Sequence, residues 1–193
     1  MCPLLEGNTK KKIIIADAAS SSVAAPAFAA DTDQKDFDIN ARVTQECSLE
    51  NPSNVNLGSL QIDRAPGPNA LLLTATASDS QNIWMSCNYP ADISLQADNR
   101  ALVNSNPVTD TAQFTNRLNY RVGLQPSNGT AFDGFGSWAP FVQPQPTTRT
   151  QTAEFHDQAS LTVTLPHFEY GNQNRRPIAG DYTDTVTITL GTI

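Results

Sequence analysis

The sequence predicts an all-β fold, a sandwich of the immunoglobulin-like type. Short apolar segments alternate with polar residues at a period of two, and clusters of Pro, Asn, Asp and Ser separate them. No stretch shows a 3.6-residue apolar period over the length of a helix. Roughly seven or eight such segments occur after residue 30, the number expected of an immunoglobulin-like sandwich.

The first thirty residues differ in character from the rest. Three lysines at 10–12 precede three isoleucines at 13–15, and an Ala-rich run ends in Ala-Phe-Ala at 27–29. A basic start, an apolar middle and an Ala-x-Ala site predict a signal peptide over residues 1–29 and a mature domain over residues 30–193. We therefore expect an exported protein.

The mature chain has two cysteines, Cys47 and Cys87, which are 40 positions apart. An even number of cysteines in an exported protein predicts one disulfide. Closing a loop of this size stabilises the fold by roughly 3 to 4 kcal/mol through the entropy of the unfolded chain. No CxxC pair and no Cys/His spacing indicates a metal site, and we expect no cofactor.

The first alternating segment follows an acidic stretch. Phe37, Ile39, Ala41 and Val43 alternate with polar residues, which predicts a first strand that leads into Cys47. Four aspartates at positions 31, 33, 36 and 38 suggest calcium as one interpretation, but the EF-hand spacing is missing. Their other interpretation is to keep an exposed strand soluble until it pairs.

The middle of the chain contains six further candidate strands, each bounded by turn residues. They are predicted at Leu57–Leu60, Leu71–Ala77, Ile83–Cys87, Ile93–Ala97, Leu118–Leu124 and Leu161–Leu165. Proline-containing segments predict surface loops, which lie at Asp63–Asn69, Gln125–Thr148 and Gln143–Thr150.

The last segment of the sequence alternates strictly. Tyr182, Val186, Ile188 and Leu190 point one way, while threonines at 183, 185, 187 and 189 point the other. β-branched residues at a period of two predict a half-buried strand. Because no later segment is available to pair with it, we expect an open sheet edge that is covered or used by another chain.

Several classes of function are disfavoured by the composition. A net charge of −7 without a basic patch argues against nucleic acid as a partner. His156 and His167 have no zinc-site spacing, and neither a nucleophile elbow nor a phosphate-binding loop is present. We predict no catalytic residue. Asn128-Gly129-Thr130 is a glycosylation sequon, but an Asn-Gly turn explains it better.

A set of motifs spans nearly the whole mature chain. It comprises Cys47, then Leu57, Gly58 and Leu60, then Cys87, Leu118-Asn119-Tyr120, Gly136-Ser137-Trp138 and Ala179-Gly180-Asp181-Tyr182-Thr183-Asp184-Thr185-Val186. In these motifs the chain resembles the spore coat protein U domain family, which includes the subunits of archaic chaperone-usher pili. The resemblance implies a pilin-type sandwich that lacks its last strand, with a disulfide near the first strand. It also implies export through a periplasmic chaperone and an outer-membrane usher, and polymerisation by donor-strand exchange.

The expected function is a structural subunit of a surface fibre, assembled from copies of this chain or related pilin subunits. A donor segment at about 31–43 of one copy would fill a groove in the next. Alternatively, the protein is a monomeric secreted coat or binding protein whose own N-terminal strand completes the sandwich. The predicted donor residues are Phe37, Ile39, Ala41 and Val43, and the predicted acceptor residues are Tyr182, Val186, Ile188 and Leu190.

Overall fold

A computed structural model of the chain describes residues 33–168, 172 and 174–191. The predicted signal peptide at 1–29 lies outside the described residues. Residues 42–191 belong to one compact unit, and residues 33–41 belong to a separate unit at the N-terminal end. The described residues form strands, turns and loops but no helix. Accordingly, they include no apolar helix of membrane-spanning length.

Twelve strands occur among the described residues. They are β1 (Cys47–Leu49), β2 (Ala77–Cys87), β3 (Asp92–Ala97), β4 (Leu102–Val103), β5 (Phe114–Thr115), β6 (Arg117–Leu118), β7 (Arg121–Pro126), β8 (Phe135–Trp138), β9 (Thr147–Thr150), β10 (Phe155–Leu165), β11 (Arg176–Pro177) and β12 (Val186–Gly191).

The longer strands form two antiparallel sheets. One sheet has the order β1-β2-β10-β7-β8, and the other has the order β12-β3-β9. Two short pairs complete the pairing, β4 with β6 antiparallel and β5 with β11 parallel. In the smaller sheet, β12 is an edge strand whose Val186 lies opposite Ala97 and whose Gly191 lies opposite Asp92.

Both sheets contribute to one main core. Most of its buried side chains come from β2, β3, β7, β8 and β10, and Val186, Ile188 and Leu190 of β12 pack against it. A second, smaller cluster is formed by Leu73, Leu118 and Leu165. Two sheets that share a buried apolar layer make the predicted all-β sandwich, and the fold-class prediction is confirmed.

Several predicted strands are confirmed with modest changes of boundary. Those at Ile83–Cys87 and Leu161–Leu165 are the C-terminal parts of two eleven-residue strands. Ile93–Ala97 lies within β3, and Leu118–Leu124 is divided between β6 and β7. The terminal strand is β12, with the predicted alternation of half-buried apolar residues and exposed threonines.

Two strands occur where the sequence predicts loops. β8 lies inside Gln125–Thr148, and β9 lies inside Gln143–Thr150. In β8 the buried residues are Phe135 and Trp138, three positions apart, because the pairing with β7 shifts register between them. β9 consists of polar, largely exposed residues at a sheet edge, so it has no apolar alternation.

Three predicted strands are not formed as such. Residues 57–60 and 37–43 belong to no strand, and the segment predicted at Leu71–Ala77 becomes a strand only from Ala77. Leu71 has φ 64° and lies in a turn, which interrupts the extended backbone that the apolar pattern predicts. Alternation marks the side chains able to face a core, whereas a strand also requires a backbone partner.

The predicted disulfide between Cys47 and Cys87 is present. The two residues lie directly opposite each other in the β1–β2 ladder. Cys87 is buried in the main core, and Cys47 packs against that core. The bond therefore fixes the short strand β1 to the long strand β2.

Candidate functional site

The described residues form an open groove of about 1250 Å³. Most of its lining comes from the segment 52–60, the segment 177–186 with Ile188, and inward-facing side chains of β7 and β10. The other lining residues are Ile62, Leu71, Leu102, Phe114 and Tyr120. The groove takes side chains from both apolar clusters, Val122 and Leu161 from the main core and Leu57 and Leu60 from the border of the smaller one. It therefore lies at the junction of the two cores.

One side of the groove is formed by β12 and the residues before it. Val186 and Ile188 line the groove and are only half-buried, although both pack against the main core. β12 pairs with β3 through one edge, and it has no strand on its other edge among the described residues. This side of the groove thus combines apolar side chains with backbone groups that form no hydrogen bond to a neighbouring strand.

The opposite side is the segment 52–60, in which Val55 and Leu57 are half-buried and line the groove. Side chains rather than a ladder hold this segment to β2. The Gln81 amide accepts from Ser53 N at 2.8 Å and donates to Ser53 O at 2.7 Å. Between described residues, residues 51–60 make no backbone-to-backbone hydrogen bond. The N–H groups of Ser53, Asn56 and Gly58 bond to side chains, so an added strand could pair only with the other backbone groups of the segment.

The motif from Gly180 to Asp184 shapes the middle of the groove. Gly180 has φ +132°, and a Cβ atom there would lie 2.6 Å from Nδ2 of Asn104. The Tyr182 hydroxyl lies 2.9 Å from Ile178 O and 3.1 Å from Thr115 O, which are its possible acceptors. Burial raises the pKa of Tyr182. The tyrosine is thus held by its hydroxyl while its side chain lines the groove.

Tyr120 and Asp184 both line the groove and are joined by a hydrogen bond. The Tyr120 hydroxyl donates to Asp184 Oδ2 at 2.8 Å, and Asp184 Oδ1 accepts from Asn99 N and Thr185 N at 2.9 and 2.8 Å. Burial, followed by the hydrogen bond and charge of Asp184, raises the pKa of Tyr120 well above its ordinary value. The pair is a fixed polar anchor within a mainly apolar groove.

The predicted acceptor residues are partly brought together by the structure. Tyr182, Val186 and Ile188 line the groove, whereas Leu190 is half-buried against the main core and is not among the lining residues. The sequence reasoning missed the lining residues Leu102, Tyr120, Val122, Leu161 and Val163. Their alternation identifies them as inward-facing, but the sheet order that places them beside β12 depends on long-range pairing.

The predicted donor residues lie in a segment without regular structure. Phe37, Ile39 and Val43 are each 83% exposed, and Ala41 is exposed as well. None of the residues 33–46 belongs to a strand. The alternating apolar side chains of this segment therefore remain accessible.

The histidines and acidic residues do not converge. His156 stacks on Trp84, and His167 lies near Thr76 and Phe168. Across the described part of the chain, no three His, Cys, Asp or Glu side chains are close enough to hold a metal ion. Asp33 forms an ion pair with Lys35 on the surface.

The sequence profile of the Spore Coat Protein U domain matches residues 33–189. The chain belongs to the Spore Coat Protein U domain family. The match covers nearly all of the described residues, including both sides of the groove. The disulfide of this member is typical of proteins that fold in an oxidising compartment.

No curated protein is significantly similar to this Spore Coat Protein U domain chain. Among solved structures, a similar chain occurs in the CsuC-CsuE chaperone-tip adhesion subunit pre-assembly complex from archaic chaperone-usher Csu pili of Acinetobacter baumannii. The two chains are 20% identical with a TM-score of 0.35, and the alignment covers 77% of this chain and 40% of that one. This chain thus spans less than half of that relative.

Proposed function

We propose that the protein is a structural subunit of a surface fibre, in which the N-terminal segment of one copy fills the groove of the next. The observation that carries the proposal is the groove itself. Apolar side chains of both clusters line it, and it lies between a strand edge and a segment that has no ladder partner in the part of the chain that the structure describes. An added strand would supply what both sides lack.

The chemistry of the groove suits an extended peptide. Backbone groups on the unpaired edge of β12, and those of residues 52–60 that do not bond to side chains, are available for ladder hydrogen bonds, which supply affinity in strand addition. Val122, Val163 and Ile188 offer apolar contacts to side chains on one face of such a strand. A peptide with apolar residues at every second position matches this arrangement.

The donor segment has that pattern. Phe37, Ile39, Ala41 and Val43 share one face of an extended chain, and about 20 Å separates the first from the last at the usual rise per residue. This length is close to that of the six-residue strand β12. Burying these four side chains would contribute on the order of 6 kcal/mol, comparable with the stability of a small domain.

The alternative is a monomer that completes its own sandwich with the same segment. It requires a strand at 37–43 in the isolated chain, and the structure has no strand there. The exposure of Phe37, Ile39 and Val43 instead supports a role for the segment in pairing with a second copy. A donor that acts between copies has to remain available until assembly.

The export route follows from the family resemblance. A subunit with an open groove needs a partner that covers the groove before assembly, and a periplasmic chaperone followed by an outer-membrane usher would provide this. The disulfide agrees with passage through an oxidising compartment. We therefore place the mature protein at the cell surface, in a fibre of identical or related subunits, with no catalytic activity.

Fibre formation by deletion and point variants tests the proposal. Removal of Asp31–Val43 should abolish high-molecular-weight polymers on gels and fibres in electron micrographs, while the disulfide and the β-rich circular dichroism spectrum persist. Ile39→Asp should have the same effect, since it places a charge in an apolar groove. Asn40→Asp is the matched control, because residue 40 lies on the other face of the extended segment and should tolerate a charge.

Two results would refute the donor role. Fibres that still form after the deletion would show that another segment joins the subunits. A full-length mature chain that stays monomeric and stable at high concentration, with an Ile39→Asp variant of much lower stability, would favour the self-completed monomer.

A further inference from the structure

The outer face of the five-stranded sheet is a surface that the groove does not use. Residues at alternate positions of β2 and β10 point away from the core, since their neighbours Ile83, Met85 and Ala159 are buried. Along this face the two long strands present mostly hydroxyl and amide side chains. They include Ser80, Asn82, Ser160 and Thr162.

One aromatic residue stands on this polar face. Trp84 is 48% exposed, and its ring stacks on that of His156 with 5.1 Å between centroids and 13° between planes. Its backbone is fixed on one side by Glu50: Trp84 N donates to Glu50 Oε2 at 2.8 Å, and Glu50 N donates to Trp84 O at 2.9 Å. The indole is therefore held in place before any ligand arrives, which lowers the entropic cost of binding.

Three amide side chains lie on the same face of the sheet as Trp84. Gln158 is the direct cross-strand partner of Trp84, and Asn82 lies two positions before it on the same face. Ser160 is opposite Asn82, and Gln125 is opposite Ser160 on β7. Amides and hydroxyls both donate and accept hydrogen bonds, as the hydroxyl groups of a ligand require.

The face is nearly without charge although the protein carries a net charge of −7. The row of Asn82, Ser160 and Gln125 and the next row, Ser80, Thr162 and Gly123, contain no ionisable group. The ionisable side chains on this face of β2, β7 and β10 are His156, which stacks on Trp84, and Arg121, which lies opposite Thr164. Glu50 approaches at the edge, where its carboxylate is engaged by the Trp84 backbone. Such a surface neither attracts a polyanion nor requires a cation, and its electrostatics fit a neutral ligand.

We propose that this face, centred on Trp84, binds neutral carbohydrate. A sugar ring presents apolar C–H groups on one side and hydroxyl groups around its rim. The C–H groups would pack on the exposed part of the indole, and the hydroxyls would bond to Gln158 and Asn82. The binding is independent of whether the groove accepts a donor strand, because inward-facing residues of β10 line the groove and its outward-facing residues belong to this face.

Trp84 also supplies the signal for the test. The chain has two tryptophans, and the other, Trp138, is 2% exposed. Laminarin, xyloglucan and galactomannan serve as neutral probes, and alginate serves as an acidic probe. Tryptophan emission and mobility in gels that contain each polysaccharide are measured on the mature protein. We expect at least one neutral probe to shift the emission and slow migration, and alginate to do neither.

Variants assign the site. Trp84→Ala should weaken binding about tenfold or more. Gln158→Ala or Asn82→Ala should weaken it about fivefold, since each substitution removes an amide that forms hydrogen bonds with the ligand. Ser78→Ala and Thr164→Ala lie at the far end of the same face and are the matched controls, with unchanged binding. The two amide variants leave the Trp84 stack intact, so they test the site even if Trp84→Ala folds poorly.

Several outcomes would overturn the proposal. They are the absence of binding to every neutral probe, binding to alginate alone, and neutral-probe binding that is unchanged in Trp84→Ala, Gln158→Ala and Asn82→Ala. A concentration-dependent dimer that is lost in Trp84→Ala without any carbohydrate binding would instead assign the face to a second copy of the chain.

Discussion

The hydroxyl of Tyr120, the residue before β7, donates a 2.8 Å hydrogen bond to the carboxylate of Asp184, two residues before β12. The bond connects the two sheets across a sequence separation of 64 residues. Asp184 also accepts hydrogen bonds from two backbone amides, so this one side chain fixes the residues that lead into β12. The edge strand that borders the groove is thereby positioned by a polar contact as well as by apolar packing.

Loss of the Asp184 carboxylate should destabilise the fold. Asp184→Ala leaves the buried Tyr120 hydroxyl without its acceptor, and we expect the free energy of unfolding to fall by about 2 to 3 kcal/mol. Urea denaturation followed by circular dichroism measures the change. Asp181→Ala is the control, because Asp181 is exposed and its removal should change stability by less than about 0.5 kcal/mol. Equal effects of the two variants would contradict the anchoring role.

Alkaline pH should destabilise the protein through Tyr120. Its pKa is raised in the folded state, mainly by burial, so above pH ~10 the folded chain retains a proton that the unfolded chain loses. Stability is then complete below pH ~10 and falls above it, by up to about 1.4 kcal/mol per pH unit for this tyrosine.

Urea midpoints at pH 8, 10 and 11 measure this dependence. Tyr120→Phe should be less stable at pH 8 but should lose less stability between pH 10 and 11. Tyr182→Phe should reduce the slope in the same direction, because the pKa of Tyr182 is also raised. An unchanged slope in Tyr120→Phe would show that other groups cause the alkaline loss.

A side chain at Gly180 should lower the stability of the fold. In Gly180→Ala a Cβ would lie 2.6 Å from Asn104 Nδ2 on a backbone with φ +132°. Gly129 is the matched control, since its φ is +91° but nothing lies within 4 Å of the added Cβ. We expect a loss of about 1 kcal/mol for Gly129→Ala from the backbone alone, and a further 1 to 3 kcal/mol for Gly180→Ala from the close contact. Thermal unfolding of both variants provides the comparison, and similar losses would contradict it.

The disulfide should contribute a large share of stability. Replacement of both Cys47 and Cys87 by serine should lower the free energy of unfolding by roughly 3 to 4 kcal/mol, since the bond closes a loop across 40 positions. Dithiothreitol should destabilise the natural protein by a similar amount and leave the double variant unchanged. If the reductant affects both proteins equally, the bond is not the source of the difference.

The sequence predicts the fold class, the disulfide and the alternation of β12, because each depends on local pattern or on a simple count. It does not predict β8, where a register shift places Phe135 and Trp138 on the core side, or β9, whose threonines carry no apolar signal. For the groove, Tyr182 and Ile188 follow from alternation, whereas Val122 and Val163 become neighbours of β12 only through sheet order. Long-range pairing decides those contacts.

Complementation with a peptide tests most directly whether residues 36–43 of one copy fill the groove of another. The mature chain lacking Asp31–Val43 is refolded with a peptide of residues 33–46, and the unfolding temperature is measured as a function of peptide concentration. We predict a rise that grows with concentration, as mass action requires for a ligand of the folded state, and none with a peptide carrying Ile39→Asp. No rise with the natural peptide, or an equal rise with both peptides, would contradict the account.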